Sequence, residues 1–207
     1  MATLGKAPFA SIPSAFPLDF ALVLRDICHA NVFVETGTYH GETTRLVAPH
    51  FAKVYTIEGS RERWEAIQGT FPENVEAICG DSAIILGDVL RGIRKRCMIF
   101  LDAHWIHAGT SVENDVYQGD LSLCPVLAEL KQIKPSSVIL IDDLFFFDYP
   151  PKGRGKGWPS LDQIMALLGN RYVFVWKGRL CAVPNTYREP MRKWLVNHWQ
   201  GKSRYDK

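Results

Sequence analysis

Five carboxylates carry the chemistry in this sequence: Glu35, Glu58, Asp81, Asp102 and Asp142. Each closes or directly follows a short apolar run, and the first four recur at about the length of one strand–helix unit. Carboxylates repel one another and are seldom gathered without a cation to hold. A chain that brings them to one edge is therefore built to receive positive charge, as an organic cation, a metal ion, or both. Asp142 is followed at once by Asp143, and His104 and His107 come shortly after Asp102. A histidine there can act as a base near neutral pH or hydrogen-bond within its own loop.

The first acid belongs to the stretch that organises the rest, VFVETGTYHGETTRL, residues 32–46. An apolar run ends on Glu35-Thr36, a turn carries Gly37, Thr38 and Gly41, and a helix starts at Glu42-Thr43-Thr44. Glycines let the backbone reach φ > 0 and come close to a ligand. The helix start adds unpaired N–H groups. The spacing is E-x-G-x-x-x-G and not the dinucleotide pattern G-x-G-x-x-G. A carboxylate before the first glycine repels a pyrophosphate and favours a ligand bearing an ammonium and a sulfonium, as S-adenosylmethionine does.

These groups need a scaffold. Apolar runs at residues 32–36, 53–57, 75–79, 97–101 and 137–141 read as strands, alternating with helical spacing at 18–29, 42–48, 61–70, 83–94, 123–133 and 160–168. Runs 172–176 and 180–183 flank Lys177-Gly178-Arg179, a hairpin signal, and 188–198 reads as a last helix. Such alternation predicts an α/β, Rossmann-like, doubly wound, mostly parallel seven-stranded sheet with a C-terminal antiparallel β-hairpin. Right-handed crossovers then bring the strands' carboxyl ends, and the five acids, to one rim. The organisation expected is an N-terminal arm and helix (1–30), a ligand-binding domain (31–185) and a C-terminal helix and tail (186–207), the final residues fraying.

Composition sets the outer bounds. The chain has 207 residues, 47% apolar, with a net charge of +2, which gives no global case for nucleic acid or membrane binding. No apolar run approaches the roughly 20 residues of a membrane span, and no signal peptide is evident. Five cysteines without a C-x-x-C favour a reducing, cytoplasmic setting over a zinc ribbon.

The stretches VETGTYHGETT, VYTIEGS, CGDS, IFLDAHW and VILIDD, closed by the hairpin, resemble class I S-adenosylmethionine-dependent methyltransferases over residues 31–183. The resemblance implies that Glu35, Thr36, Gly37, Thr38, Gly41 and Thr43 line the methionine and ribose of the cofactor. Glu58, with Gly59 beside it, would accept hydrogen bonds from both ribose hydroxyls, and Asp81 with Ser82 would meet the adenine. Glu58 can equally be a solvated strand end, and Asp81 a helix N-cap. Asp102, Asp142 and Asp143 match the acids that hold a divalent cation in catechol O-methyltransferase-like and macrocin O-methyltransferase-like enzymes, which implies Mg²⁺. Asp102 also borders the cofactor, and Asp102 or His104 would take the acceptor's proton. D-A-H-W lacks the prolines of the D-P-P-Y loop of amino-group methyltransferases, which favours oxygen as acceptor.

The expected function is thus O-methylation of a hydroxylated small molecule, a sugar or a phenol, with the oligomeric state left open. Two long loops, 105–121 and 144–159, leave the active rim and bear aromatics, Phe145-Phe146-Phe147 among them, and the basic PKGRGKG. The aromatics suit stacking on a ring or packing beneath the loop. Two rivals stand beside this reading: an iron-dependent hydroxylase using His104 and nearby acids, and a non-catalytic S-adenosylmethionine-binding module.

Overall fold

The computed structural model describes residues 16–103, 124–148 and 158–198. The strands are β1 (Val32–Thr36), β2 (Lys53–Glu58), β3 (Val75–Cys79), β4 (Cys97–Leu101), β5 (Val138–Ile141), β6 (Arg171–Trp176) and β7 (Arg179–Pro184). They form one sheet of seven strands in the order β3-β2-β1-β4-β5-β7-β6. β1 to β5 run parallel, and β7 pairs antiparallel with both β5 and β6. The doubly wound sheet with its closing hairpin is the architecture expected. The hairpin turn is Lys177-Gly178, both at positive φ (46° and 80°), whose backbone twist matches that of the strands it joins.

The helices are α1 (Leu18–Cys28), α2 (Glu42–Val47), α3 (Arg61–Ile67), α4 (Ser82–Gly92), α5 (Val126–Leu130), α6 (Phe145–Asp148), α7 (Leu161–Leu168) and α8 (Arg188–His198). Alternation along the strands divides the core in two. Val32, Val34, Ile99 and Ile139 pack with Leu86 and Leu90 of α4, Leu130 of α5 and Ile164 of α7. Phe33, Met98, Phe100 and Leu140 face the other way and pack with Leu24 of α1, Val47 of α2 and Met191 of α8. Both faces are covered, so continuous apolar runs rather than alternating ones are what these strands require.

Helix ends differ from the expectation where local chemistry intervenes. α2 ends one residue short of the expected 42–48, and residues Ala48–His50 continue as a 3-10 turn with Pro49 near its start. α5 is shorter than the spacing predicts and starts after Pro125. α6 lies where a loop was expected: Phe147 is buried, and its ring centroid is 6.1 Å from that of Trp158. Packing therefore accounts for Phe147. No helix among the described residues is long and apolar enough to cross a membrane.

Candidate functional site on the carboxyl rim

Hydrogen bonds that extend the parallel ladder past the strand ends bring the acids side by side. The Gly37 amide donates to the Ile57 carbonyl (2.9 Å), the Gly80 amide to Glu58 (2.9 Å), the Asp102 amide to Thr36 (3.1 Å) and the Asp142 amide to Leu101 (3.1 Å). Adjacent strands thus end in step, and Glu58, Asp102 and Asp142 come to one rim. Their local settings are unlike one another.

Glu58 is held as an acceptor. Its Oε2 takes the Tyr39 amide at 2.7 Å and its Oε1 the Ser60 amide at 2.9 Å, with the Arg63 guanidinium 3.9 Å away. The turn after β1 supplies the first of these amides, so the two loops share this carboxylate. Gly37 and Gly41 both sit at positive φ, 82° and 74°. A Cβ on Gly37 would lie 2.6 Å from the Asp102 carbonyl oxygen and 2.9 Å from Ala103 Cα. The backbone after β4 therefore needs a glycine here, whatever a ligand requires.

Glu35 is buried beneath the turn. Its Oε2 accepts hydroxyl hydrogen bonds from Thr44 of α2 and from Thr56 of β2, the latter at 2.7 Å. Thr56 also shares a 2.6 Å contact with the buried hydroxyl of Thr38. Burial chiefly pushes the Glu35 carboxyl up to about 8; the threonine hydroxyls oppose the shift, and Asp102 and Glu58 reinforce it. Thr36 is fully buried on β1, Thr43 and Gly59 are half-buried, and Ser82 is buried at the start of α4. Asp81 caps that helix, its Oδ1 accepting the Ala83 amide at 2.9 Å.

Two residues at this rim escaped the sequence reading. Glu129 of α5 is 1% exposed, and burial pushes its carboxyl up to about 7; the Ser82 and Thr36 hydroxyls lie beside it and oppose the shift, while Asp81 and Asp102 add to it. Its Oε1 and the Thr36 hydroxyl are buried without a hydrogen-bond partner among the described residues. The signal was available, because Glu129 stands on the apolar face defined by the buried Val126 and Ile133. The other residue is Arg179, 3% exposed at the start of β7. Its Nε lies 3.1 Å from Asp142 Oδ1 and its Nη2 donates to Oδ2 at 3.2 Å. β7 pairs Leu180 with Ile141, so the next step of the register sets Arg179 opposite Asp142.

That contact bears on the cation expected at Asp102, Asp142 and Asp143. The Asp143 amide donates to Asp142 Oδ1 at 2.8 Å, and Asp143 itself is left-handed at φ 50°. Both Asp142 oxygens face a guanidinium. Among the described residues, no three His, Cys, Asp or Glu side chains are grouped so as to hold a metal. Among the described residues, the donor set does not fit a divalent ion. His104, His107, residues 105–121 and PKGRGKG lie outside the described residues.

Neither protein-family models nor curated proteins give a match to the chain. Solved structures do. The chain is similar to TomG, an O-methyltransferase from Streptomyces achromogenes solved with S-adenosylmethionine (TM-score 0.51, 19% identity, 84% of this chain and 82% of that one). It is similar to DesVI from Streptomyces venezuelae (0.52, 12%, 81% and 89%) and to a Staphylococcus aureus protein assigned as a caffeoyl-CoA O-methyltransferase (0.53, 16%, 81% and 82%). The fold is that of the class I S-adenosylmethionine-dependent methyltransferases. Within that methyltransferase fold, the rim bearing Gly37, Glu58 and Asp102 is the carboxyl edge of the first strands, where α/β sheets take their ligands.

Proposed function

We propose that this chain is an S-adenosylmethionine-dependent O-methyltransferase acting on a hydroxylated small molecule. The observation that carries the reading is Glu58: a buried, acceptor-only carboxylate fixed by two backbone amides at the end of β2, beside the glycine turn. Such a group suits the vicinal hydroxyls of a ribose. Asp81 and Ser82 at the next strand end border the adenine. Gly37, Thr38, Gly41 and Thr43 shape the turn along the ribose and methionine. Glu35 serves this turn as a buried brace between β1, β2 and α2, rather than as a charge facing the ligand.

Bound S-adenosylmethionine supplies an electrophilic methyl group that an acceptor oxygen takes by in-line displacement at the sulfonium. Asp102, at the end of β4 between the glycine turn and Asp142, is the carboxylate stationed to receive the acceptor's proton. His104 is the alternative base. The site asks for positioning and a proton acceptor, both of which oriented side chains provide. The test is the release of S-adenosylhomocysteine from S-adenosylmethionine over a panel of phenols and sugars. Turnover with at least one acceptor, lost in Asp102→Asn, is expected. Tight cofactor binding with no turnover on any acceptor would instead favour a non-catalytic binding module.

A further inference from the structure

We infer that the Arg179 guanidinium stands where a divalent cation would be needed, so that the cation of this site is part of the chain. The inference rests on the methyltransferase reading for its functional meaning and on geometry for its substance. Asp142 Oδ1 faces Arg179 Nε at 3.1 Å and takes the Asp143 amide at 2.8 Å, while Oδ2 takes Arg179 Nη2 at 3.2 Å. Mg²⁺ binds carboxylate oxygens at about 2.1 Å in near-octahedral order. Reaching Asp142 would require it to displace a permanently charged guanidinium from both oxygens.

The fold holds Arg179 firmly. It is 3% exposed, and it opens β7 directly after the Lys177-Gly178 turn. The Leu144 amide donates to the Gly178 carbonyl at 3.1 Å, which stitches that turn to the segment after Asp142-Asp143. One N–H donor on Oδ2, with a second guanidinium nitrogen at ion-pair distance from Oδ1, makes the contact directional as well as charged. It fixes Asp142 beside Asp102 and offsets their mutual repulsion, the electrostatic service a metal would otherwise give. Acceptors are then not gripped by chelation, and the proton leaves to a side chain rather than from a metal-bound hydroxyl.

The test titrates Mn²⁺ into the full chain and follows the free ion by electron paramagnetic resonance. The parent is expected to bind no Mn²⁺ more tightly than about 1 mM. Arg179→Met should uncover the carboxylates and bind one Mn²⁺ at least about 10-fold more tightly, and Arg179→Met with Asp142→Asn should lose that gain. Arg179→Lys, which keeps the charge, should behave as the parent and stands in if the methionine variant does not fold. Its binding Mn²⁺ at least about 10-fold more tightly than the parent would contradict the inference. A parent that binds one Mn²⁺ well below 1 mM, with loss in Asp142→Asn, would overturn the inference. So would an Arg179→Met protein that folds and gains nothing. Calorimetry with S-adenosylhomocysteine on the same samples reads the cofactor site separately, so failure there would strike the proposed function and leave the metal result standing.

Discussion

Thr44 donates its hydroxyl to the Glu35 oxygen that also takes the Thr56 hydroxyl at 2.7 Å. One buried carboxyl group thereby ties α2 and β2 to the end of β1. A folded-state value raised from 4.5 to about 8 means that the native chain keeps a proton the unfolded chain releases. The stability this proton confers is complete below 4.5 and is lost as pH climbs towards about 8. Glu129, at about 7, and Asp142, at about 6, act with the same sign. The melting temperature should therefore fall between about pH 5 and about pH 8. Glu35→Gln keeps an acceptor without the titration, so its fall should be shallower and it should melt above the parent at the alkaline end. Parallel melting curves for the two proteins would show that Glu35 does not contribute.

Gly37 is required by the backbone opposite. Its φ of 82° and the 2.6 Å that a Cβ would leave to the Asp102 carbonyl mean that any side chain strains the turn and displaces the end of β4. Gly37→Ala should cost about 1–3 kcal/mol and weaken cofactor binding in the same protein. A thermal melt with calorimetry on one sample checks both. Full stability with lost binding would restore the simpler view that this glycine only makes room for the ligand.

The Asp142–Arg179 pair should show the asymmetry of buried ion pairs. Arg179→Met leaves a half-desolvated carboxylate beside Asp102 and should cost about 3–5 kcal/mol. Adding Asp142→Asn should recover most of that loss, because the uncompensated charge is gone. Urea unfolding of the parent, the single variants and the double variant gives the coupling energy directly. Additive losses would mean that the two groups do not interact.

Most of the scaffold was legible because strands buried on both faces must be continuous apolar runs, and Val32–Thr36 or Cys97–Leu101 admit no other placement. The rim followed, since parallel crossovers align the strand ends. What stayed hidden depended on partners distant in sequence. Glu35 reads as a ligand-facing charge until Thr44 and Thr56 are seen on it. Asp142 reads as a carboxylate without a cationic neighbour until the β5–β7 register sets Arg179 across from it. The Phe145-Phe146-Phe147 run reads as loop until Phe147 is found buried near Trp158.

Asp81 serves α4 as its cap through Oδ1, a role that does not preclude contact with adenine. Asp81→Ala should cost about 1 kcal/mol through the lost cap, while Asp81→Asn should keep it. Binding of S-adenosylhomocysteine by the asparagine variant then isolates any contribution to the cofactor. Unchanged affinity in Asp81→Asn would make this residue purely a cap.

The central claim is that the rim around Glu58 receives the adenosyl group. Isothermal calorimetry of S-adenosylhomocysteine with the parent and with Glu58→Ala tests it most directly. The parent should bind one molecule per chain, and the variant, still folded, should bind at least about 10-fold more weakly, the worth of a hydrogen bond to a charged group. No binding by the parent, or equal affinity in the variant, would contradict the account.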